Sequence, residues 1–207
     1  RVTPSEDGMD IIFQYSGRQF SIPLKVEGYF QAMNILCAVG LAIASGETSE
    51  RVFDNMQYLK PISGRLEYCG KNIKGAKIYV DYAHTPAALT AAIFSLRELT
   101  ENNIILVFGC GGERDKLKRP IMGGIASQYA DFVIVTDDNP RSEDPEEIRS
   151  QIISHCHDAL EISDRAEAIK KGIEIGKKGD SIIIAGKGHE KYQVIGQDTI
   201  PFSDQET

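Results

Sequence analysis

The sequence predicts an α/β protein: a mostly parallel, doubly wound, Rossmann-like sheet over residues 61–207, preceded by a β-hairpin and two helices over residues 1–60. Three observations carry this. The apolar runs "IYV", "IILVFG", "FVIVT" and "SIIIAG" have the length of buried strands and alternate with stretches of helical spacing, which is the pattern of a parallel sheet with crossover helices. Each run ends in a polar, Gly-rich or charged loop. Near residue 60, "LKPISGRLEY" interrupts the periodicity with Pro and Gly, and the pattern before it is of another kind.

Residues 9–26 hold two β-rich runs around "SGR", a hairpin signal. "GYFQAMNILCAVGLAIASG" has helical spacing and ends at Gly46, placed as a C′ glycine; a shorter helix follows over 48–57. Beyond the boundary, "AKIYVDYA" reads as a strand and 86–99 as a helix opening on Pro86. "NIILVFG" is a strand, "LKRPIMGGIASQYA" a helix, and "DFVIVTD" a strand. "DPEEIRSQIISHCHDA" is a helix with Pro and acids in its first turn. "DRAEAIKKGIEIGKKGD" is a helix, "SIIIAGKG" a strand and "KYQVIG" a short edge strand. There is no internal repeat or low-complexity tract.

The 207 residues are enough for one large domain, or one domain and part of another. The first residue is Arg, so a piece of a longer protein is expected, and residues 1–60 are too few to bury a good core alone. Hydrophobic residues make up 42% and charged residues 26%, ordinary globular usage. The longest apolar runs fall far short of the ~20 residues of a membrane helix, so no membrane partner is expected. "RVTPSEDGMD" lacks the apolar core of a signal peptide. The net charge of −7, with no long basic block, argues against non-specific nucleic-acid binding and leaves a local anion site open. Cys37, Cys69, Cys110 and Cys156 are scattered, as expected of reduced thiols in a cytoplasmic protein. His155 and His157 flank Cys156 on a predicted helix, where an i, i+2 pair does not share a face, so no metal site is expected.

In an open α/β sheet, ligands bind outside the carboxyl ends of the strands. Here those ends carry "DYAHTP" (Asp81, His84), "CGGERDK" (Gly111, Gly112, Arg114), "DDNPR" (Asp137 to Arg141) and "KGHEKY" (Gly188, His189, Glu190, just after Gly186 and Lys187). Taken singly, each has an ordinary structural explanation. "GCGG" begins like a dinucleotide phosphate loop, but Arg114 stands where the third Gly belongs. "DDNPRSEDP" has the makings of an Asx turn and helix cap, and Lys187 and Lys191 read as surface residues. Together the loops point to a ligand crevice. Arg114 and Arg141 are fixed-charge forks for carboxylate or phosphate. Glu190 and Asp138 suit an ammonium, and Asn139 offers both donor and acceptor. Forks beside carboxylates suit a zwitterion, and two forks suit more than one carboxylate.

These stretches resemble the C-terminal domain of the Mur ligase family, most closely its MurE type. The resemblance rests on "GRLE" (64–67), "VDYAHTPAAL" (80–89), "FGCGGERDKLKRP" (108–120), "VTDDNPRSEDP" (135–145) and "AGKGHEKYQ" (185–193), in order along 61–207. "GYFQAMNILCA" (28–38) resembles a helix of the family's central ATPase domain, with Gln31 where the family commonly has Asn. The resemblance implies that 1–60 is the tail of that central domain. It implies an ATP- and Mg2+-dependent ligase that joins meso-diaminopimelate to a UDP-sugar dipeptide through an acyl phosphate, in peptidoglycan synthesis. It places ATP at Asn34, Arg65, Asp81 and His84. It places the amino acid at Arg114, Asp138, Asn139, Pro140, Arg141, Gly186 and Glu190, with the D-N-P-R tetrad reading the distal carboxylate that lysine lacks.

No G-x-x-x-x-G-K-[ST] phosphate loop occurs in the 207 residues. In the family that loop, the metal ligands and the UDP-sugar domain precede this region, so the chain by itself is expected to be inactive and to work with the rest of its own polypeptide. Two other readings stand beside this one: a stand-alone α/β module that binds an amino acid or nucleotide without chemistry, and a folate-linked glutamate ligase, which shares the architecture but has little use for D-N-P-R.

Overall fold

The computed structural model describes residues 1–5 and 8–207 and divides into two compact units, Arg1–Ile62 and Ser63–Thr207. In the first, β1 (Val2–Ser5), β2 (Gly8–Tyr15) and β3 (Arg18–Leu24) form an antiparallel sheet in that order. The expected hairpin is β2–β3. Ser16 and Gly17 both take positive φ, 47° and 77°, as a two-residue hairpin turn that follows strand twist requires. The additional strand β1 carries Pro4, a residue sheets tolerate on an edge.

The helix α1 (Tyr29–Ala44) ends where the sequence places it. Gly46, at φ 104°, turns the chain so that its N–H reaches Ile43 O and the Glu47 N–H reaches Ala42 O, satisfying the last carbonyls. The short α2 (Ser49–Met56) follows. Met9, Ile11, Leu24, Ala32, Phe53 and Met56 lie in the buried core, with Phe13 and Phe20 stacked on each other and packed at an angle against Phe53.

The second unit contains β4 (Glu67–Lys71), β5 (Lys77–Asp81), α3 (Pro86–Arg97), β6 (Ile104–Phe108), α4 (Lys118–Tyr129) and β7 (Phe132–Val135). After these come α5 (Pro145–Ile153), β8 (Leu160–Glu161), α6 (Arg165–Ile175), β9 (Ser181–Ala185), β10 (Tyr192–Ile195) and β11 (Asp198–Pro201). The main sheet runs β4-β5-β9-β6-β7-β8, parallel throughout except for β4. The mostly parallel α/β class read from the sequence is the fold found.

The central strands are sealed on both faces. All five residues of β6 and of β9 are buried. Val80, Val107, Ile134 and Ile184 turn one face to Ala168 and Ile169 of α6. Strand side chains alternate, so Leu106 and Ile183 point to the opposite face, where α3, α4 and α5 pack side by side. The helices start on side-chain caps: Thr85 accepts from Ala88 N ahead of Pro86, Asp144 from Glu146 N, and Asp164 from Glu167 N.

Three expectations change. The "KYQVIG" strand is not an edge of the main sheet; it pairs with β11 as a separate hairpin. The helix α5 stops at Ile153, so His155, Cys156 and His157 lie beyond it, with Cys156 buried. Lys187 is not a surface residue but has no exposed surface at all, whereas the Lys191 side chain is 78% exposed.

Candidate functional site

Because β5, β9, β6 and β7 are neighbours and parallel, their carboxyl ends and the loops that follow share one edge of the sheet. The chain returns from β8 to insert β9 between β5 and β6, so the strand order reverses at the centre of that edge.

At the β5 end, Asp81 is buried, and both its carboxylate oxygens accept backbone N–H groups, from Leu66 at 2.6 Å and Ala83 at 2.7 Å. Burial pushes its carboxyl above the ordinary range, while those two donors, and then Arg65 and His84, pull the other way. Asp81 therefore ties the 64–67 turn to the strand end. The Arg65 guanidinium sits 4.5 Å over the Tyr82 ring, and Tyr82 packs against His84 and His189. His84 Nδ1 lies 2.8 Å from Tyr82 O. Gly64, at φ 68°, passes so close to the β9 loop that a Cβ would stand 2.2 Å from His189 N.

The β6 and β7 loops are pressed together backbone to backbone. A Cβ on Gly109 would meet Thr136 O at 2.1 Å, and one on Gly112 would meet Pro140 O at 1.9 Å. The outer glycines of "GCGG", Gly109 and Gly112, are explained by this close approach, whereas a Cβ on Gly111 would meet the Arg141 guanidinium at 3.0 Å. Gly112 N donates to Asn139 O at 2.9 Å, and Arg141 Nη1 donates to Gly112 O at 2.7 Å. Arg141 takes φ 54°, and its backbone is laced to the β10–β11 hairpin: Arg141 N reaches Val194 O at 3.0 Å, and Gly196 N reaches Arg141 O at 2.7 Å. Arg114 stands exposed on the neighbouring loop, its guanidinium 3.3 Å from Glu113 O. Asp137 faces away, paired with Arg149 of α5.

At the centre, Gly186 at φ 120° lies against Asp138; a Cβ there would be 2.6 Å from Asp138 Oδ2. Asn139 Nδ2 donates to Glu190 Oε2 at 2.9 Å across the β7 and β9 loops. Lys187 Nζ donates to Asn139 Oδ1 at 2.9 Å and to Glu190 Oε2 at 3.3 Å. Gln193 Nε2 holds Asp138 O at 2.7 Å.

The fold thus gathers Asp138, Asn139, Pro140, Arg141, Gly186 and Glu190, puts Arg114 on the adjoining loop, and sets Arg65, Asp81 and His84 beside them through Tyr82 and His189. Asn34 belongs to the first unit, on α1, where its Nδ2 lies 3.3 Å from Gln31 Oε1 in the wall of a cavity of about 480 Å3. Sequence reasoning missed Lys187, the Arg119–Glu143 pair and the supporting hairpin. A lysine between two glycines directly after the apolar run "IIIA" was the available signal for the first. Among the described residues no three His, Cys, Asp or Glu side chains converge as metal ligands.

Residues 64–188 match the family model for the Mur ligase glutamate ligase domain. The chain belongs to the Mur ligase family. Among curated Mur ligases, it is 52% identical over 185 residues to the UDP-N-acetylmuramoyl-L-alanyl-D-glutamate--2,6-diaminopimelate ligase of Rhizobium meliloti, covering 89% of the chain and 38% of that protein. To the enzyme of the same name from Caulobacter vibrioides it is 45% identical over 98% of the chain and 42% of that protein. It spans about 40% of the length of these relatives. A solved ligase structure of the same name matches 99% of the chain and 42% of its own, at 36% identity and a TM-score of 0.68. A Mycobacterium tuberculosis folylpolyglutamate synthase shares the fold, at 20% identity and a TM-score of 0.71 over 90% of the chain and 44% of its own.

Proposed function

We infer that this chain is the C-terminal part of an ATP-dependent ligase that adds meso-diaminopimelate to UDP-N-acetylmuramoyl-L-alanyl-D-glutamate in peptidoglycan synthesis. The observation that carries it is the join between the β7 and β9 loops, where Arg141, Asp138, Asn139 and Glu190 put a fixed cationic fork and two carboxylates at one strand edge. Such a set suits an amino acid with a second carboxylate. The relatives' names support the substrate.

In this reading, Glu190 and Asp138 receive the amino group, and Arg141 and Arg114 take the carboxylates. Gly186 leaves room for Asp138 against the β9 turn. Holding the amine in place makes its attack on the activated carboxylate effectively unimolecular. ATP supplies the phosphoryl group that activates that carboxylate. The Arg65–Tyr82–His84 shelf fits one edge of a nucleotide, with Asp81 holding the shelf in place; Asn34, on the first unit, is a further nucleotide contact in this reading. The described residues offer no ligand set for Mg2+, so no step is assigned to the metal here.

Residues 1–60 then belong to the central domain. Supporting this, α1 carries large apolar residues well outside its buried stripe: Tyr29, Met33 and Leu41 are 55%, 43% and 70% exposed while Ala32 and Val39 are buried. A helix of that kind normally lies inside a larger domain.

The test is phosphate release by the full-length gene product given ATP, magnesium, the UDP-sugar dipeptide and either meso-diaminopimelate or lysine. Turnover with diaminopimelate and little with lysine is expected; the 207-residue chain alone should give none. Preference for lysine would overturn the reading.

A further inference from the structure

Lys187 is a buried cation with an unusual set of partners. Its side chain has no exposed surface, so its ammonium must be satisfied by protein groups. Those groups are the Asn139 amide oxygen at 2.9 Å and Glu190 Oε2 at 3.3 Å, with the Tyr192 ring 5.8 Å away. Asn139 and Glu190 sit 51 positions apart, on the loops after β7 and β9. The Glu190 N–H closes the turn back onto Lys187 O at 3.0 Å. Lysine, amide and carboxylate thus form one closed set.

This set fixes the amide's direction. Asn139 Oδ1 faces two donors, Lys187 Nζ and Val194 N at 3.0 Å, and an ammonium cannot accept. A flipped amide would set its N–H2 against both and leave Glu190 facing an oxygen. With Oδ1 receiving two donors, Asn139 has no acceptor left for an incoming amine. It serves instead to hold Glu190 Oε2 through Nδ2. Among the described residues Glu190 Oε1 accepts no hydrogen bond, and the Glu190 side chain is 21% exposed. That oxygen is the one left for a ligand.

Resting on the amino-acid site proposed above, we propose that Lys187 is its positioning residue: it locks the Asn139 amide and, through it, aims Glu190 Oε1 at the substrate ammonium. Lys187 itself touches no substrate. Its removal loosens two groups on two loops at once and leaves the Arg65–Tyr82–His84 shelf alone.

The experiment is steady-state kinetics of the full-length gene product with Lys187→Met, Lys187→Gln, Glu190→Gln and the double variant Lys187→Met/Glu190→Gln. Lys187→Met should raise the KM for diaminopimelate roughly tenfold or more, with a smaller fall in kcat and the KM for ATP within about twofold. Lys187→Gln keeps a donor for Asn139 and should recover part of the loss. In the Glu190→Gln background, Lys187→Met should add less than about threefold, because both act through one carboxylate. Equal rises in both KM values, or full additivity, would overturn the positioning role.

If Glu190→Gln alone leaves the diaminopimelate KM unchanged, the amino-acid site itself is misplaced. If Glu190→Gln raises it and Lys187→Met does not, only the role of Lys187 fails. Should Lys187→Met not fold, the wild-type ammonium signal of Lys187, observed with 15N-labelled lysine, should be slow to exchange and should shift on adding diaminopimelate but not ATP. A signal that ignores diaminopimelate would reject the proposal.

Discussion

Arg119 and Glu143 form a two-pronged ion pair, Nη1 to Oε2 at 3.1 Å and Nη2 to Oε1 at 3.2 Å, and the Arg119 side chain has no exposed surface. Glu143 also receives Lys116 Nζ at 3.0 Å and the backbone N–H of Glu113. Arg119 lies on α4 and Glu143 just before α5, so the pair bolts the β6 loop to the β7 loop, one carrying Arg114 and the other Arg141. The consequence for pH is definite. Arg119 first, then the Glu113 N–H and Lys116, hold the Glu143 carboxyl down from 4.5 to about 2. A lowered carboxylate stabilises the fold fully above its ordinary value and loses that contribution as pH falls toward the folded one. The urea midpoint of wild type should fall between about pH 5 and pH 2, and Glu143→Gln should fall less over the same window. Parallel curves would show that the pair contributes nothing.

Gly112 meets Pro140 O so closely that a methyl group there would stand 1.9 Å from it, and both partners are backbone. Nothing flexible can yield. Gly112→Ala should cost about 1–3 kcal/mol or more in urea unfolding, and should weaken diaminopimelate use by displacing the D-N-P-R turn. Gly124, inside α4 with open space around it, is the control: Gly124→Ala should be neutral or gain up to about 1 kcal/mol. Equal effects at the two positions would remove the steric argument.

The fold was legible where periodicity is strong. The run that became β6 is apolar from end to end, and that of β9 is apolar after Ser181, because strands buried on both faces need no alternation, and the caps at Thr85 and Asp164 carry their own chemistry. What escaped had no such signal. The two-residue β8 and the Pro-containing edge strand β1 exist through their partners and not their composition. The candidate crevice was readable because a parallel sheet sends every carboxyl end to one edge. Lys187 was not, because burial of a lysine is decided by Asn139, 48 residues away in sequence. Arg119 hid for the same reason: in a helix of amphipathic charge a buried arginine looks like any other.

Arg165 and Asp204 face each other with no exposed side-chain surface, Nε to Oδ1 and Nη2 to Oδ2, both at 2.7 Å. The pair pins the last residues of the chain beneath the β9 loop, where Gln205 Nε2 reaches Gly188 O at 2.9 Å. Asp204→Ala leaves a buried guanidinium without its counter-ion, and should cost about 3–5 kcal/mol in urea unfolding. Replacing both partners with apolar residues, Arg165→Met with Asp204→Leu, should recover most of that loss, since the desolvation cost disappears with the charges. A single variant that unfolds at the wild-type midpoint would refute the assignment.

Arg141 is the residue expected to choose between diaminopimelate and lysine. Its backbone stands at φ 54°, left-handed and costly for an arginine, and is held there by paired hydrogen bonds to the β10–β11 hairpin. Pro140, just before it, has its φ fixed by the ring, and one guanidinium nitrogen is anchored on Gly112 O at 2.7 Å. The fork is therefore aimed before substrate arrives. Removing it should strand the ligand's distal carboxylate, a loss of about 2–5 kcal/mol in kcat/KM for diaminopimelate, with little change in the poor rate with lysine. Arg141→Ala also forces a Cβ to stay at positive φ, so Arg141→Gly is the cleaner variant. It relieves the backbone strain, which offsets part of the loss of the hydrogen bond to Gly112 O, while losing the same selectivity. Arg141→Lys should restore only part, because a point charge does not reproduce the fork. If Arg141→Gly lowers both amino acids by one factor, Arg141 is a contact to the α-carboxylate, and Arg114, exposed on the adjoining loop, becomes the specificity determinant.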